Sequence, residues 1–200
     1  MLRAFIFDIG GVLVRTENLA PRRQWEQRLG LKDWELARLV FNNPIARQAQ
    51  HGLATWDDNW ADVRQKLSVS DADFEQLKID FWLGDVWDES LVGFIASLRP
   101  RFKTGVISNA LPGTRENVLV QVGPETFDDL VFSYEVGIMK PAPEIYQRVL
   151  TRLGVSPAEA VFVDDFIENI HGAQAVGLQT IHFTDAATVR AELEHLLTTT

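Results

Sequence analysis

Short apolar runs that are typical of buried β-strands alternate with helical patterns along most of this chain. The strand-like runs are rich in β-branched and aromatic residues and cover residues 3–8, 103–108, 130–133, 160–164 and 180–183. The helical patterns between them cover residues 88–99, 113–122, 143–153 and 167–176. Because strand and helix alternate at the spacing of βαβ units, the sequence predicts an α/β fold with a doubly wound, Rossmann-like parallel sheet.

Residues 15–86 interrupt this alternation with several helical patterns and few β-branched runs. The chain's six tryptophans lie in this stretch or at its edge, at Trp25, Trp34, Trp56, Trp60, Trp82 and Trp87. A small helical bundle needs large apolar side chains to fill its own core, so packing is the simplest role for most of these rings, and lining a substrate pocket is the alternative. The sequence therefore predicts a helical cap domain at 15–86, inserted into an α/β catalytic core of residues 1–14 and 87–200.

Charge and composition exclude several classes of function. The 200 residues include 19 Lys and Arg against 28 Asp and Glu, and this formal net charge of −9 opposes binding to nucleic acid or to an anionic membrane through bulk charge. The absence of cysteine excludes zinc thiolates, iron–sulfur clusters and a cysteine nucleophile. No apolar run approaches the length of a membrane span or a signal peptide. We expect a cytoplasmic monomer or homodimer with no nucleic-acid or membrane partner.

Polar residues follow several of the predicted strands. They are Asp8 after the first strand, Ser108 and Asn109 at the second, and Asp164 and Asp165 at the fourth. Lys140 precedes the helix that follows the third strand. Because ligands of open α/β sheets bind beyond the carboxyl ends of the strands, we expect these side chains to converge. Neighbouring carboxylates repel one another unless a cation lies among them, and a set of oxygen ligands suits Mg²⁺.

Four segments in this order resemble the motifs of the haloacid dehalogenase superfamily. They are Phe5–Val12, Val106–Asn109, Gly137–Tyr146 and Val161–Asn169. The position of the insertion, directly after the first motif, is similar to that of the superfamily's C1-type helical cap. Within the superfamily, the chain resembles bacterial α-glucose-1-phosphate phosphatases and the phosphatase half of soluble epoxide hydrolases. The resemblance implies a Mg²⁺-dependent phosphomonoesterase that hydrolyses a small phosphorylated metabolite through an aspartyl-phosphate intermediate.

The resemblance also implies a role for each motif residue. Asp8 is expected to be the nucleophile. The expected Mg²⁺ ligands are the Asp8 carboxylate, the Gly10 carbonyl oxygen and Asp165, with Asp164 assisting. The expected phosphate-binding residues are Ile9, Gly10, Ser108, Asn109 and Lys140. Lys140 would also stabilise the charge that develops during phosphoryl transfer, and Asn169 would support the loop of the acidic pair.

Two further candidates come from the insertion and its boundary. His51 lies in a predicted loop, close to where the cap of this superfamily faces the active site, and Arg15 follows the first motif directly. Both are candidate substrate contacts. A purely structural role is the competing interpretation of each.

Gly10 departs from the pattern of most phosphatases in this superfamily, which carry a second Asp there as general acid and base. Such catalysis typically contributes about 10²–10⁴-fold, so Gly10 indicates a slow enzyme, a substitute acid from the cap, or a leaving group that hardly needs protonation, such as that of an anomeric sugar phosphate. A 2-haloacid dehalogenase, which lacks this Asp and uses no metal, is one alternative. A catalytically weak phosphate-binding regulatory module is another. The Asp164–Asp165 pair favours phosphate chemistry, because carboxylates without a metal would oppose a departing halide.

Overall fold

The computed structural model describes residues 1–199, so Thr200 lies outside the described part of the chain. Its strands are β1 (Ala4–Phe7), β2 (Val14–Thr16), β3 (Asp85–Trp87), β4 (Lys103–Ser108), β5 (Asp129–Phe132), β6 (Ala160–Asp164) and β7 (Gln179–His182). A five-stranded sheet has the order β5-β4-β1-β6-β7, and all its neighbouring strands are parallel. The five strand-like runs of the sequence form these five strands. The predicted doubly wound α/β fold is therefore confirmed.

Helices cover both faces of the sheet and fill the insertion. They are α1 (Ala20–Leu29), α2 (Glu35–Phe41), α3 (Pro44–Gln50), α4 (Trp56–Lys66), α5 (Asp71–Asp80), α6 (Glu89–Ser97), α7 (Thr114–Val122), α8 (Ser133–Val136), α9 (Pro143–Leu153), α10 (Ile167–Val176) and α11 (Ala186–Thr199). Helix α9 begins at a proline and ends before Gly154, whose φ of 69° is the left-handed conformation that favours glycine after a helix. None of the helices between residues 1 and 199 combines the length and the apolar character needed to cross a membrane.

The sheet is buried on both faces because successive side chains of each strand point to opposite sides. Phe5 and Phe7 of β1 pack in one apolar cluster, while Ala4 and Ile6 pack in the other. Residues of α6, α7 and α11 cover the first face, and residues of α9 and α10 cover the second. The next residue after β1 is Asp8, which this packing holds at the carboxyl edge of the central strand.

The insertion has an apolar cluster of its own. Its fully or largely buried members include Trp25, Leu36, Val40, Trp60 and Phe81. Packing thus accounts for some of the tryptophans, whereas Trp34 and Trp82 are exposed.

The insertion meets the core through an antiparallel ribbon of β2 and β3, in which Thr16 pairs with Asp85 and Val14 with Trp87. Because the predicted boundaries at 15 and 86 fall inside this ribbon, both ends of the insertion lie side by side. The division into a core and a cap domain stays a prediction.

Candidate active site

The polar residues at the strand ends converge on one cavity of about 630 Å³. Strand β1 lies between β4 and β6, so Asp8 stands between Ser108 at the end of β4 and the acidic pair at the end of β6. The core residues that line the cavity include Asp8, Gly10, Gly11, Ser108, Asn109, Lys140, Asp165 and Asn169. The predicted convergence of these residues is therefore present, and their individual roles stay predictions.

Lys140 connects the first and last motifs. Its ammonium nitrogen lies 2.8 Å from Oδ2 of Asp8 and 2.6 Å from Oδ2 of Asp164, and its side chain is only 1% exposed. The main chain of Lys140 is fixed by Asn109, whose Oδ1 accepts from the Lys140 N–H at 2.8 Å and whose Nδ2 donates to the Lys140 carbonyl at 3.0 Å. Asn109 thus orients Lys140, and both ends of its amide are already engaged.

The two carboxylates after β6 have different surroundings. Asp164 is fully buried, and its oxygens accept hydrogen bonds from the Phe166 N–H at 2.8 Å and from Asn169 Nδ2 at 3.0 and 3.1 Å, besides the contact with Lys140. In contrast, Oδ1 of Asp165 is buried without a hydrogen-bond partner among the described residues. The support predicted from Asn169 is therefore directed at Asp164, and Asp165 keeps an unpartnered oxygen.

Negative charge accumulates in this corner of the cavity. One carboxylate oxygen from each of Asp8, Asp164 and Asp165 lies within 4.8 Å of the other two. Burial, followed by the charges of Asp8 and Asp164, raises the pKa of Asp165 to about 6. Burial also raises the pKa of Asp8, although Lys140 opposes the shift. Three neighbouring carboxylates, two of them on buried residues and the third with a buried, orphaned oxygen, form a donor set that fits a hard divalent cation.

The backbone after Asp8 is shaped around these carboxylates. The Ile9 N–H donates to Oδ1 of Asp8 at 2.7 Å, so it fixes that side chain. Gly11 has a φ of +81°, and a Cβ placed on it would overlap the carboxylate of Asp165. Gly10 is exposed, and nothing lies within 4 Å of where its Cβ would be. The turn therefore needs a glycine at position 11, whereas position 10 has room for a side chain.

The two candidates from the insertion lie elsewhere. Nδ1 of His51 is 3.0 Å from the carbonyl oxygen of Gly137, and Arg15 binds Asp88 at 3.0 Å and the Val12 carbonyl at 2.8 Å. Neither belongs to the lining of the cavity that contains Asp8. Both side chains contact other parts of the protein, and their expected roles at the substrate stay predictions.

The insertion contributes six residues to the cavity lining, Trp34, Ala37, Arg38, Phe41, Asn42 and Gln50. Lining a pocket is the alternative role that the sequence offered for Trp34, whereas sequence reasoning missed the other five. Four of them follow the i, i+3, i+4, i+7 spacing of one helix side around α2. That spacing was available in the sequence, but the positions mix aromatic, small and charged residues and so give no amphipathic signal.

Comparison with known proteins gives matches along nearly the whole chain. The family model of haloacid dehalogenase-like hydrolases matches residues 2–177. Glyceraldehyde 3-phosphate phosphatase of Methanopyrus kandleri is 37% identical over 201 residues, which cover 90% of this chain and 83% of that protein. Bifunctional epoxide hydrolase 2 of Rattus norvegicus is 29% identical over 213 residues, covering 96% of this chain. The chain spans only 38% of the length of that epoxide hydrolase.

Two solved structures show how widely the fold is shared. One is a haloacid dehalogenase-family enzyme of Bacteroides thetaiotaomicron in complex with magnesium and inorganic phosphate, with a TM-score of 0.74, 23% identity and coverage of 92% of this chain and 95% of that chain. The other is L-2-haloacid dehalogenase of Xanthobacter autotrophicus, with a TM-score of 0.65, 18% identity and coverage of 98% and 83%. At such identities the likeness shows the fold alone.

Proposed function

This chain belongs to the haloacid dehalogenase-like hydrolase family, and on that premise we propose that it is a Mg²⁺-dependent phosphomonoesterase acting on a small phosphorylated metabolite. The observation that carries the proposal is the buried Asp8–Lys140–Asp164 arrangement beside the unpartnered oxygen of Asp165. The phosphatase relative and the family member solved with magnesium and phosphate support the same chemistry. Residues 15–86 would act as a cap over this site, and they supply one wall of the cavity.

The Mg²⁺ site of this proposal consists of the Asp8 carboxylate, the Gly10 carbonyl and Asp165. Asp165 fits best because its oxygen is otherwise orphaned in a negative environment. Asp164 would assist from nearby rather than serve as a main ligand, because its oxygens already accept hydrogen bonds from Lys140, Asn169 and the Phe166 N–H. When bound, the ion supplies positive charge to the transferring phosphoryl oxygens.

The residues of the chain account for the remaining chemistry. A carboxylate oxygen of Asp8 attacks phosphorus, and the phosphorus–oxygen ester bond breaks with its electron pair leaving on the alcohol oxygen. Water then hydrolyses the aspartyl-phosphate, which releases inorganic phosphate and restores Asp8. Lys140, held 2.8 Å from Asp8, offsets negative charge throughout, and Ser108 lines the same cavity at the end of β4.

The leaving group has little help from acids in this cavity. Among the described residues that line it, only Asp8 and Asp165 bear carboxyl groups, and both have other roles in the proposal. Position 10 holds a glycine with open space around it. We therefore expect esters with acidic leaving groups, such as aryl or anomeric sugar phosphates, to be hydrolysed faster than simple alkyl phosphates.

The competing function is a metal-independent 2-haloacid dehalogenase, which the shared fold and Gly10 permit. The two are separated by incubating the protein with 4-nitrophenyl phosphate and with 2-chloropropionate, each with Mg²⁺ and with excess chelator. We expect phosphate release that stops with chelator and returns with Mg²⁺, and no release of chloride. Full phosphatase activity in chelator, or release of chloride, would contradict the proposal.

The nucleophile is tested with Asp8→Asn, which keeps the shape of the side chain but replaces the carboxylate with a poor nucleophile. Turnover should fall to background while the circular dichroism spectrum stays the same. Asp57→Asn is the matched control, because Asp57 is exposed on α4, and that variant should keep full activity.

A further inference from the structure

We propose that the cavity-facing side of helix α2, centred on Arg38, selects phosphate monoesters whose leaving group carries a second anionic group next to a ring or other apolar part. This inference rests on the proposed phosphatase function and names the substrate class of that site. It assigns the selection to Trp34, Arg38 and Phe41.

Helix α2 has a buried side and a cavity side, and Ala37 and Phe41 of the cavity side also pack against the buried cluster. Leu36 and Val40 are fully buried in the insertion's apolar cluster. The spacing i, i+3, i+4, i+7 places four residues on one side of the helix, and all four line the cavity that contains Asp8: Trp34, Ala37, Arg38 and Phe41. The helix is thus anchored by one side, and its other side faces the place where the organic part of a substrate would lie.

Arg38 carries a positive charge that no carboxylate of the described chain neutralises. Its Nε donates to the Trp34 carbonyl at 3.4 Å and its Nη2 to the Asp33 carbonyl at 3.2 Å, both main-chain oxygens. Most other arginines of the insertion are in ion pairs, as Arg22 with Asp85 and Arg28 with Asp73. An exposed guanidinium on a cavity wall is suited to bind a carboxylate or a second phosphate.

Among the described residues on the core side of the cavity, none offers such a free positive charge to a second anion. The ammonium of Lys140 is shared between Asp8 and Asp164 and lies 2.8 Å from the carboxylate of the proposed nucleophile, next to where the transferring phosphoryl group must bind. Arg38 belongs instead to the part of the cavity lining that the insertion contributes. The two cations therefore serve different parts of a substrate, Lys140 the reacting phosphate and Arg38 an acidic group on the leaving side.

Two aromatic rings accompany Arg38 on this wall. Trp34 is 51% exposed and has a φ of +67°, a left-handed backbone conformation that is uncommon for a bulky residue. Packing does not explain a large ring that is half exposed on a strained backbone, and such positions cluster at functional sites. Phe41, seven residues later, lines the same cavity. A ring or apolar part of the leaving group would pack against these faces while its acidic group reaches Arg38.

The test compares two aryl phosphates of nearly the same shape, 4-carboxyphenyl phosphate and its uncharged counterpart 4-carbamoylphenyl phosphate. Both have phenolic leaving groups, so neither depends on a general acid. The measured quantity is the ratio of their kcat/KM values, carboxylate over amide. We expect Arg38→Gln to lower this ratio by about fivefold, the loss typical of one partly solvated charge-assisted contact. Arg38→Lys should give an intermediate ratio, and salt should lower the ratio of the parent but not that of Arg38→Gln.

Arg47→Gln is the matched control. Arg47 is an exposed arginine on α3 of the same insertion and is not part of the cavity lining, so this variant should leave the ratio unchanged. If both esters are hydrolysed and Arg38→Gln changes the ratio no more than Arg47→Gln does, the inference is wrong while the phosphatase function stands. Thermal unfolding of each variant confirms that the fold is retained.

A binding measurement separates the failure of the inference from that of the function. The two esters are titrated into Asp8→Asn, with and without Arg38→Gln, and tryptophan fluorescence is followed, since Trp34 lines the cavity. We expect the carboxylate ester to bind more tightly than the amide only when Arg38 is present. If the parent hydrolyses neither ester, this preference still supports the anion site, and equal affinities would overturn it.

Discussion

The two walls of the Asp8 cavity are built in opposite ways. On the core wall, Lys140 and Asp164 are buried and their charged atoms have fixed partners at 2.6–3.1 Å. On the insertion wall, Trp34 and Arg38 are exposed, and Arg38 binds only main-chain oxygens. Fixed charges suit a reaction that needs a preorganised environment, and exposed side chains suit contacts that differ between substrates. The comparison predicts that changes on the core wall damage all reactions, whereas changes on the insertion wall alter only the choice of substrate.

Lys140→Ala should produce the largest effect. It leaves the carboxylates of Asp8 and Asp164 without their shared counter-charge, which costs about 3–5 kcal/mol for a broken buried pair. We expect activity on every phosphate ester to fall to near background and the free energy of unfolding to drop. Lys103→Ala, at an exposed ion pair, should change the free energy of unfolding by less than about 1 kcal/mol. If Lys140→Ala were as active as the parent, the fixed charges of the core wall would not be needed for the reaction, and the contrast with the insertion wall would fail.

The neighbouring glycines give a sharper test within the core wall. Gly11→Ala places a Cβ against Asp165 and forces alanine to a φ of +81°, so we expect kcat/KM to fall on the order of 100-fold. The strain alone should destabilise the fold by about 1–2 kcal/mol. Gly10→Ala meets open space and should behave like the parent. The measurements are kcat/KM and Tm for both variants, and equal losses would mean that the turn does not position Asp165.

Asp165→Asn should separate stability from metal binding. Because the folded-state pKa of about 6 lies above the ordinary 3.8, ionised Asp165 destabilises the metal-free fold at neutral pH, and this cost disappears progressively as the pH falls from about 6 to below 3.8. At about pH 7 the metal-free variant should therefore melt about 2–4 °C above the metal-free parent.

Mg²⁺ provides the second half of this test. The ion should raise the Tm of the parent but not that of Asp165→Asn, and its affinity for the parent should weaken below about pH 6 as carboxylates bind protons. A variant that melts below the metal-free parent, or that still responds to Mg²⁺, would contradict the metal assignment.

The smallest effect is expected on the insertion wall. Trp34→Asn replaces a strained ring with a residue that tolerates the left-handed conformation and is favoured at the start of a helix. We expect the free energy of unfolding to rise by about 0.5–1 kcal/mol while discrimination between esters declines. Trp82→Asn should instead destabilise, because Trp82 contacts the rings of Phe41, Trp56 and Phe81. Destabilisation by Trp34→Asn would mean that the ring is held for packing.

Sequence signals predicted the core wall better than the insertion wall. The observed bounds of α9 and α10 equal the predicted ones, since each helix has a strong pattern and a glycine after its end. The meeting of Asp8, Lys140 and Asp164 follows from parallel topology, which brings the strand ends to one edge. The ion pair between Lys140 and Asp164 was not predicted. Whether Lys140 pairs with Asp164 or with Asp165 depends on distances that the sequence does not give.

The residues of the insertion that face the cavity were not predicted, for a different reason. Which side of a helix faces a cavity depends on how the insertion sits against the core, and local pattern carries no such information for Arg38 or Phe41. Local pattern likewise gives no sign that the ring of His51 contacts a main-chain carbonyl in another motif. The strands β2 and β3 have three residues each and partly exposed side chains, too little pattern to identify from sequence.

That small ribbon has an evolutionary consequence. Thr16 and Asp85 are paired neighbours, so the chain leaves the core and returns to it at almost the same point. The segment between Thr16 and Asp85 can therefore become longer or shorter, or be replaced, without a change in the parallel sheet. A descendant of this gene could acquire a new substrate by recombining a single contiguous segment, while the residues that perform the chemistry are inherited unchanged on either side of it.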